Sequence, residues 1–276
     1  MKAMRISIAA SAAVAVSLGL ISLTGSVNAA AAPTTKGTLR PAIHLAHKPG
    51  LSPQGIPIQY SGNWSGYVAT PKQGGAKSFR YVAASYEVPS VNCSVTNYAF
   101  SYHWVGLDGW SDGTVEQDGI GSFCVSGSPT YFAWYEMFPA GVTEEFAVDP
   151  GDAITSSVTF NGGGSYTMQL TDQTTGQNFD VGTTCASTCS NSSAEVITEG
   201  YTSSPYNGTA DFGEEHYDTA SVQSAKGLSG GLTSTKWNTT ESIALGSTTG
   251  EIDTEPGPLY KVTGLSAFPL SWLQEN

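Results

Sequence analysis

The chain has 276 residues, 23 of them acidic and 11 basic, for a net charge of −12 with histidine neutral. All the acids follow residue 48, where only six basic residues oppose them, and such an acidic body argues against nucleic acid and anionic membranes as partners. The scarcity of Lys and Arg also limits positive self-repulsion at low pH, which suits an acidic medium.

In chain order, Lys2 and Arg5 open the sequence, an apolar run follows, and Val27-Asn28-Ala29 supplies small residues at a cut site. This is the pattern of a secretory signal peptide over residues 1–29, so the protein is expected outside the cell. No later run approaches the roughly 18 apolar residues a membrane span needs, so no membrane attachment is expected after its removal. Residues 30–57 carry Lys36, Arg40 and Lys48 and no acid, and read as a basic leader or propeptide lying on the acidic body. Protonation of that body's carboxylates would loosen it.

Residues 58–276 read as a single all-β domain, expected to be a monomer. Short alternating runs sit between Gly, Asn, Asp and Ser turns: 64–70, 79–89, 102–109, 131–139, 153–160, 166–172, 194–201 and 257–264. Asn161-Gly162-Gly163-Gly164 is a hairpin loop and Asp149-Pro150-Gly151-Asp152 a turn. The segment 218–227 is too rich in Ser and β-branched residues for a helix. Many strands in one domain predict a sandwich or closed barrel.

Two stretches carry candidate chemistry. In the 131–139 strand, Phe132, Trp134, Glu136 and Phe138 share one face. A carboxylate among aromatics is either solvent-facing or a partly desolvated acid/base whose pKa is raised while water still reaches it. In the 115–119 segment, Val115 and Gln117 share a face, and Glu116 and Asp118 point the other way. Gln117 is then a polar amide turned toward an apolar side, satisfied either by backbone or by a partner such as Glu136. His103 and His216 identify no serine for a triad, and no G-x-S-x-G elbow occurs.

Four cysteines lie beyond the signal, and oxidation is expected in a secreted chain. Cys185 and Cys189 flank a tight turn and pair best with each other, leaving Cys93–Cys124. Cys-x3-Cys spacing suits zinc poorly, so no metal and no cofactor is expected.

The blocks SGNWSGYVA (61–69), YEVPSV (86–91), WVGLDG (104–109), VEQDG (115–119), AWYEMFP (133–139), AEVITEG (194–200) and ADFG (210–213) occur in the order of the G1 (eqolisin) glutamic peptidases. The chain resembles that family over residues 61 to about 213. The resemblance implies a lectin-like (concanavalin-like) β-sandwich of two antiparallel sheets and a secreted acid endopeptidase acting on polypeptides. It implies a catalytic pair at Gln117 and Glu136, supported by Trp104, Asp108, Trp64 and Trp134. Glu136, ionised at mildly acidic pH, would deprotonate a water, and Gln117 would hold the oxyanion, with no metal and no acyl-enzyme. A glycan hydrolase using Glu136 and Asp108, or a lectin-like carbohydrate-binding module, is the alternative on such a sandwich. Five Asn-x-Ser/Thr sequons occur, at Asn63, Asn92, Asn191, Asn207 and Asn238.

Overall fold

A computed structural model describes residues 50–95, 97–185, 189–200, 202–203, 205–246 and 250–274. The expected signal peptide and all of the leader before Gly50 lie outside the described residues, which belong to one unit, Lys36–Asn276.

Every regular element described is a strand, and apart from the small hairpin of Thr202–Ser203 with Tyr206–Asn207 the pairings follow two main sheets. The first runs Gly50–Leu51, Pro57–Ser61, Asn238–Leu245, Trp64–Thr70, Ala194–Glu199, Tyr98–Leu107, Val115–Val125, Ser128–Phe138, Thr143–Ala147. The second runs Asn178–Thr184, Ser165–Asp172, Ala153–Gly162, Phe79–Glu87, Glu214–Ser224, Leu265–Trp272. Ile252–Pro256 pairs with a strand of each and joins the sheets along one edge. Among these pairings only Pro57–Ser61 with Asn238–Leu245 is parallel, and the rest make the expected antiparallel sandwich. The segment 50–57, read from sequence as leader, is part of this fold. Gln54 donates to the Leu259 carbonyl and accepts from its N–H, both at 2.8 Å.

The sequence forms these strands because its apolar residues alternate. Val105, Leu107, Ile120, Ala133 and Val196 face inward from the first sheet. They meet Val82, Ala84, Ile154, Val158, Met168, Tyr217 and Phe268 from the second. Residues 218–224 of the 218–227 segment belong to the strand Glu214–Ser224, and 225–227 form the turn after it. The loop 161–164 closes the hairpin of Ala153–Gly162 and Ser165–Asp172. Both disulfides form as expected, Cys93–Cys124 and Cys185–Cys189.

The outer face of the first sheet is also covered. A second cluster there comprises Trp64, Val68, Phe100, Tyr102, Trp104, Val115, Trp134 and Ile197. Its central strand carries Gly119 and Gly121 on this face. A Cβ on Gly119 would sit 2.1 Å from the His103 carbonyl oxygen, and one on Gly121 2.7 Å from the Phe132 ring. Glycine is required at 119 by the close backbone of the neighbouring strand and at 121 by the Phe132 ring lying over it.

Candidate active site

The register of the first sheet puts Gln117, Glu136, Trp104, Trp134 and Trp64 on its outer face. Gln117 is paired directly with Glu136, and Gly106 lies on the other side of Gln117. The next cross-strand row toward Phe132 is Ile197, Trp104, Gly119, Trp134, and the row beyond it is Trp64, Glu199, Tyr102, Gly121, Phe132. Gln117 Nε2 donates to Glu136 Oε2 at 2.7 Å. The two are 4% and 2% exposed, so the aromatic wall is drier than the sequence pattern alone requires. Burial, and then the charge of Glu199, raises the Glu136 pKa to about 8, partly offset by the Gln117 hydrogen bond. Burial and the Glu199 charge both favour the protonated form of Glu136.

Glu199 is the residue that sequence reasoning missed. It is 6% exposed. Asn63 Nδ2 donates to its Oε1 at 2.7 Å, and Trp104 Nε1 to its Oε2 at 3.2 Å. Burial raises its pKa to about 7, and the Asn63 and indole donors hold it from rising further. Its charged form thus has two side-chain donors, Asn63 and Trp104, where Glu136 accepts from Gln117. A strict alternation of Glu195, Ile197 and Glu199 in AEVITE was the available signal, since it puts both acids on the face of Ile197.

The tryptophans frame the site. Trp104 packs edge-on against Trp64 with centroids 4.9 Å apart, and Trp134 edge-on against Tyr102 at 4.7 Å. Asp108 does something else. It accepts backbone N–H bonds from Ser190, Asn191 and Ser192 at 2.8, 2.7 and 2.5 Å. These clamp the segment entering the Ala194–Glu199 strand, so Asp108 is a support and is not free to act as a second glycosidase carboxyl.

Glu116 and Asp118 do point away from Gln117, but into the sandwich, where both are fully buried. Burial, then the charge of Asp108, raises Glu116 to about 9. Its Oε1 lies 2.9 Å from the sulfur of disulfide-bonded Cys189, which has no hydrogen to give, so the proton at this contact belongs to Glu116. Glu116, Cys185 and Cys189 cluster closely. The disulfide leaves no thiolate there for a metal.

His103 forms a hydrolase-like chain, with Nε2 3.0 Å from Ser101 Oγ and Nδ1 against Glu215. All three side chains are buried, and Glu215 comes from the opposite sheet, so no scissile bond can reach Ser101. Among the sequons, Asn63 and Asn191 are buried and hydrogen-bonded.

The family model of the Peptidase A4 family matches residues 62–254. The fold is similar to a crystal structure of scytalido-glutamic peptidase with a peptide based transition state analog, at 25% identity and TM-score 0.61, covering 77% of this chain and 98% of that one. It is similar to SCP-B, a member of the eqolisin family in complex with the tripeptide Ala-Ile-His, at 24% identity, TM-score 0.60, and the same 77% and 98% coverage. It is also similar to aspergilloglutamic peptidase from Aspergillus niger, at 23% identity and TM-score 0.52, covering 63% of this chain and 99% of that one. No curated protein sequence matches the chain.

Proposed function

The chain belongs to the Peptidase A4 family, the glutamic peptidases, and from that premise we propose a secreted endopeptidase that works on the acid side of neutrality through Gln117, Glu136 and Glu199. The observation that carries the reading is the Gln117–Glu136 contact on a buried face that also holds Glu199, whose charged form accepts from both Asn63 and Trp104. Two carboxyls whose environments separate their pKa values divide the acid and base roles between them. This moves the base role from Glu136, where the sequence puts it, to Glu199.

Glu199, held by Asn63 and Trp104, takes a proton from water, and the water oxygen attacks the scissile carbonyl. Gln117 gives one amide hydrogen to Glu136 Oε2 and has a second for the developing oxyanion. Its Oε1 is buried without a protein partner and is available to accept from the water. Glu136 keeps its proton and delivers it to the leaving amine as the C–N bond breaks. No metal and no acyl-enzyme enters these steps.

A peptide N–H or water donating to Glu199 favours its charged form and lowers its pKa, which carries the active window below the free protein's value of about 7. The buried acids support work at low pH as well, because they are stable in the fold when protonated. Export is supported by the 1–29 pattern and by two disulfides.

The test is a pH profile of peptide cleavage by wild type, Glu199→Gln, Glu136→Gln and Gln117→Ala. Each carboxyl variant should lose at least about 10²-fold in kcat, and Gln117→Ala about 10²–10³-fold with little change in KM. Full turnover in Glu199→Gln would return the base role to Glu136. Full turnover in both Glu variants would remove the mechanism.

A further inference from the structure

A cavity of about 340 Å³ lies away from the Gln117–Glu136 face, on the outer face of the second sheet. Tyr81, Ser221, Val222, Gln223, Ser229, Gly230, Thr263, Gly264 and Leu265 line it, and none is charged. Tyr81 sits between Thr159 and Gln223, and its hydroxyl reaches the side chains of Ser157 and Ser221. Those two serines flank Ala83, two residues further along Tyr81's own strand. The ring therefore lies along the sheet over Ala83, which is buried although it faces outward. An aromatic plane bordered by hydroxyls and an amide suits a sugar ring, whose C–H face stacks on the plane while its hydroxyls bond at the edge.

The rim adds charge. Beyond residue 48 the chain has six Lys and Arg, and Lys226 and Lys236 are held to the segment that lines this cavity. Arg80 is exposed next to Tyr81. Lys226 is exposed in the turn between the lining residues Gln223 and Ser229. Lys236 Nζ donates to the Ser229 carbonyl. Lys261 is exposed two residues before Thr263. Lys72 donates to the Thr235 carbonyl, and Lys77 precedes Ser78, whose carbonyl accepts the Ala225 N–H. In a body with 23 acids and six such cations, Lys226 and Lys236 border one uncharged, hydroxyl-lined cavity.

We infer that this cavity is a second binding site, for a polyhydroxylated polyanion: a polymer of sugar or polyol units carrying carboxylate or phosphate groups. The rim attracts the anionic groups, and Tyr81, Ser221 and Gln223 recognise the polyol. Such a site would hold the enzyme on an anionic wall or matrix while the opposite sheet cleaves protein. It does not depend on which glutamate is the base.

The experiment measures binding of the intact chain to polygalacturonate, poly(glycerol phosphate), neutral dextran and inorganic polyphosphate at low and high salt. One or both of the first two polymers should bind at low salt and release at high salt, with dextran not retained. Which of them binds identifies the anionic group. The Lys226→Ala/Lys236→Ala double variant should bind about tenfold more weakly or worse. Tyr81→Ala and Gln223→Ala should weaken binding with the charge unchanged. Cleavage of a soluble peptide should be unchanged in the double variant, which separates this site from the peptidase reading. Failure to bind either polyol polymer overturns the inference. So does equal binding of polyphosphate with Tyr81→Ala and Gln223→Ala without effect, because charge alone would then explain retention.

Discussion

Glu116→Gln should make the protein more resistant to alkaline pH, by an amount the burial of this side chain sets. Unfolded, a glutamate releases its proton near 4.5; in the fold Glu116 keeps it to about 9. Between these values the folded state binds more protons than the unfolded one, so stability is full below about 4.5 and falls as pH rises. From pH 5 to pH 8 this one group removes about 4 kcal/mol, at ~1.4 kcal/mol per pH unit. Glutamine has nearly the same shape, does not titrate, and can donate toward the Cys189 sulfur as the protonated acid does. The assay is urea unfolding followed by tryptophan fluorescence at pH 5 and pH 8. The variant should match wild type within about 1 kcal/mol at pH 5 and exceed it by roughly 3–4 kcal/mol at pH 8. Equal pH slopes in the two proteins would show that Glu116 is not held protonated, and the account of the sandwich's buried acids would fall with it.

Other consequences can be measured directly. Asn63→Ala removes a donor from the charged form of Glu199, so the acid limb of the kcat/KM profile should move to higher pH; an unmoved limb would separate Glu199 from the base role. The acid limb of kcat should lie below that of kcat/KM, because the first reports the substrate complex and the second the free enzyme; coincident limbs would refute the lowering of the Glu199 pKa by substrate. Replacing Cys93 and Cys124 by alanine opens a loop of sequence separation 31 and should cost about 3–4 kcal/mol in urea unfolding. A loss below 1 kcal/mol would mean the denatured chain is already compact there.

The sequence shows its strands well, because period-two alternation is local. It puts Gln117 and Glu136 on one face for the same reason, and the register makes them direct neighbours. It hides Glu199, whose partners Asn63 and Trp104 are 136 and 95 residues away and meet it only through strand pairing. It also leaves open what the far face means for Glu116 and Asp118. On a strand covered on both sides, pointing away from the site is pointing into the core, and no local pattern distinguishes that from pointing into water. The start of the fold was obscured likewise. Gln54 belongs to it through Leu259, a contact spanning 205 residues.

The burial of Asn63 bears on how the protein can be made. Asn63-Trp64-Ser65 is a sequon, and an oligosaccharyl transferase reads sequons on chains that have not yet folded. A glycan there would take the amide nitrogen that Glu199 uses and could not fit beneath the surface. A host that glycosylates its exports would thus yield misfolded or inert material from an intact gene. Ser65 offers the remedy. Its hydroxyl is buried with no hydrogen-bond partner, so Ser65→Ala erases the sequon, leaves Asn63 in place, and removes a group the fold does not use.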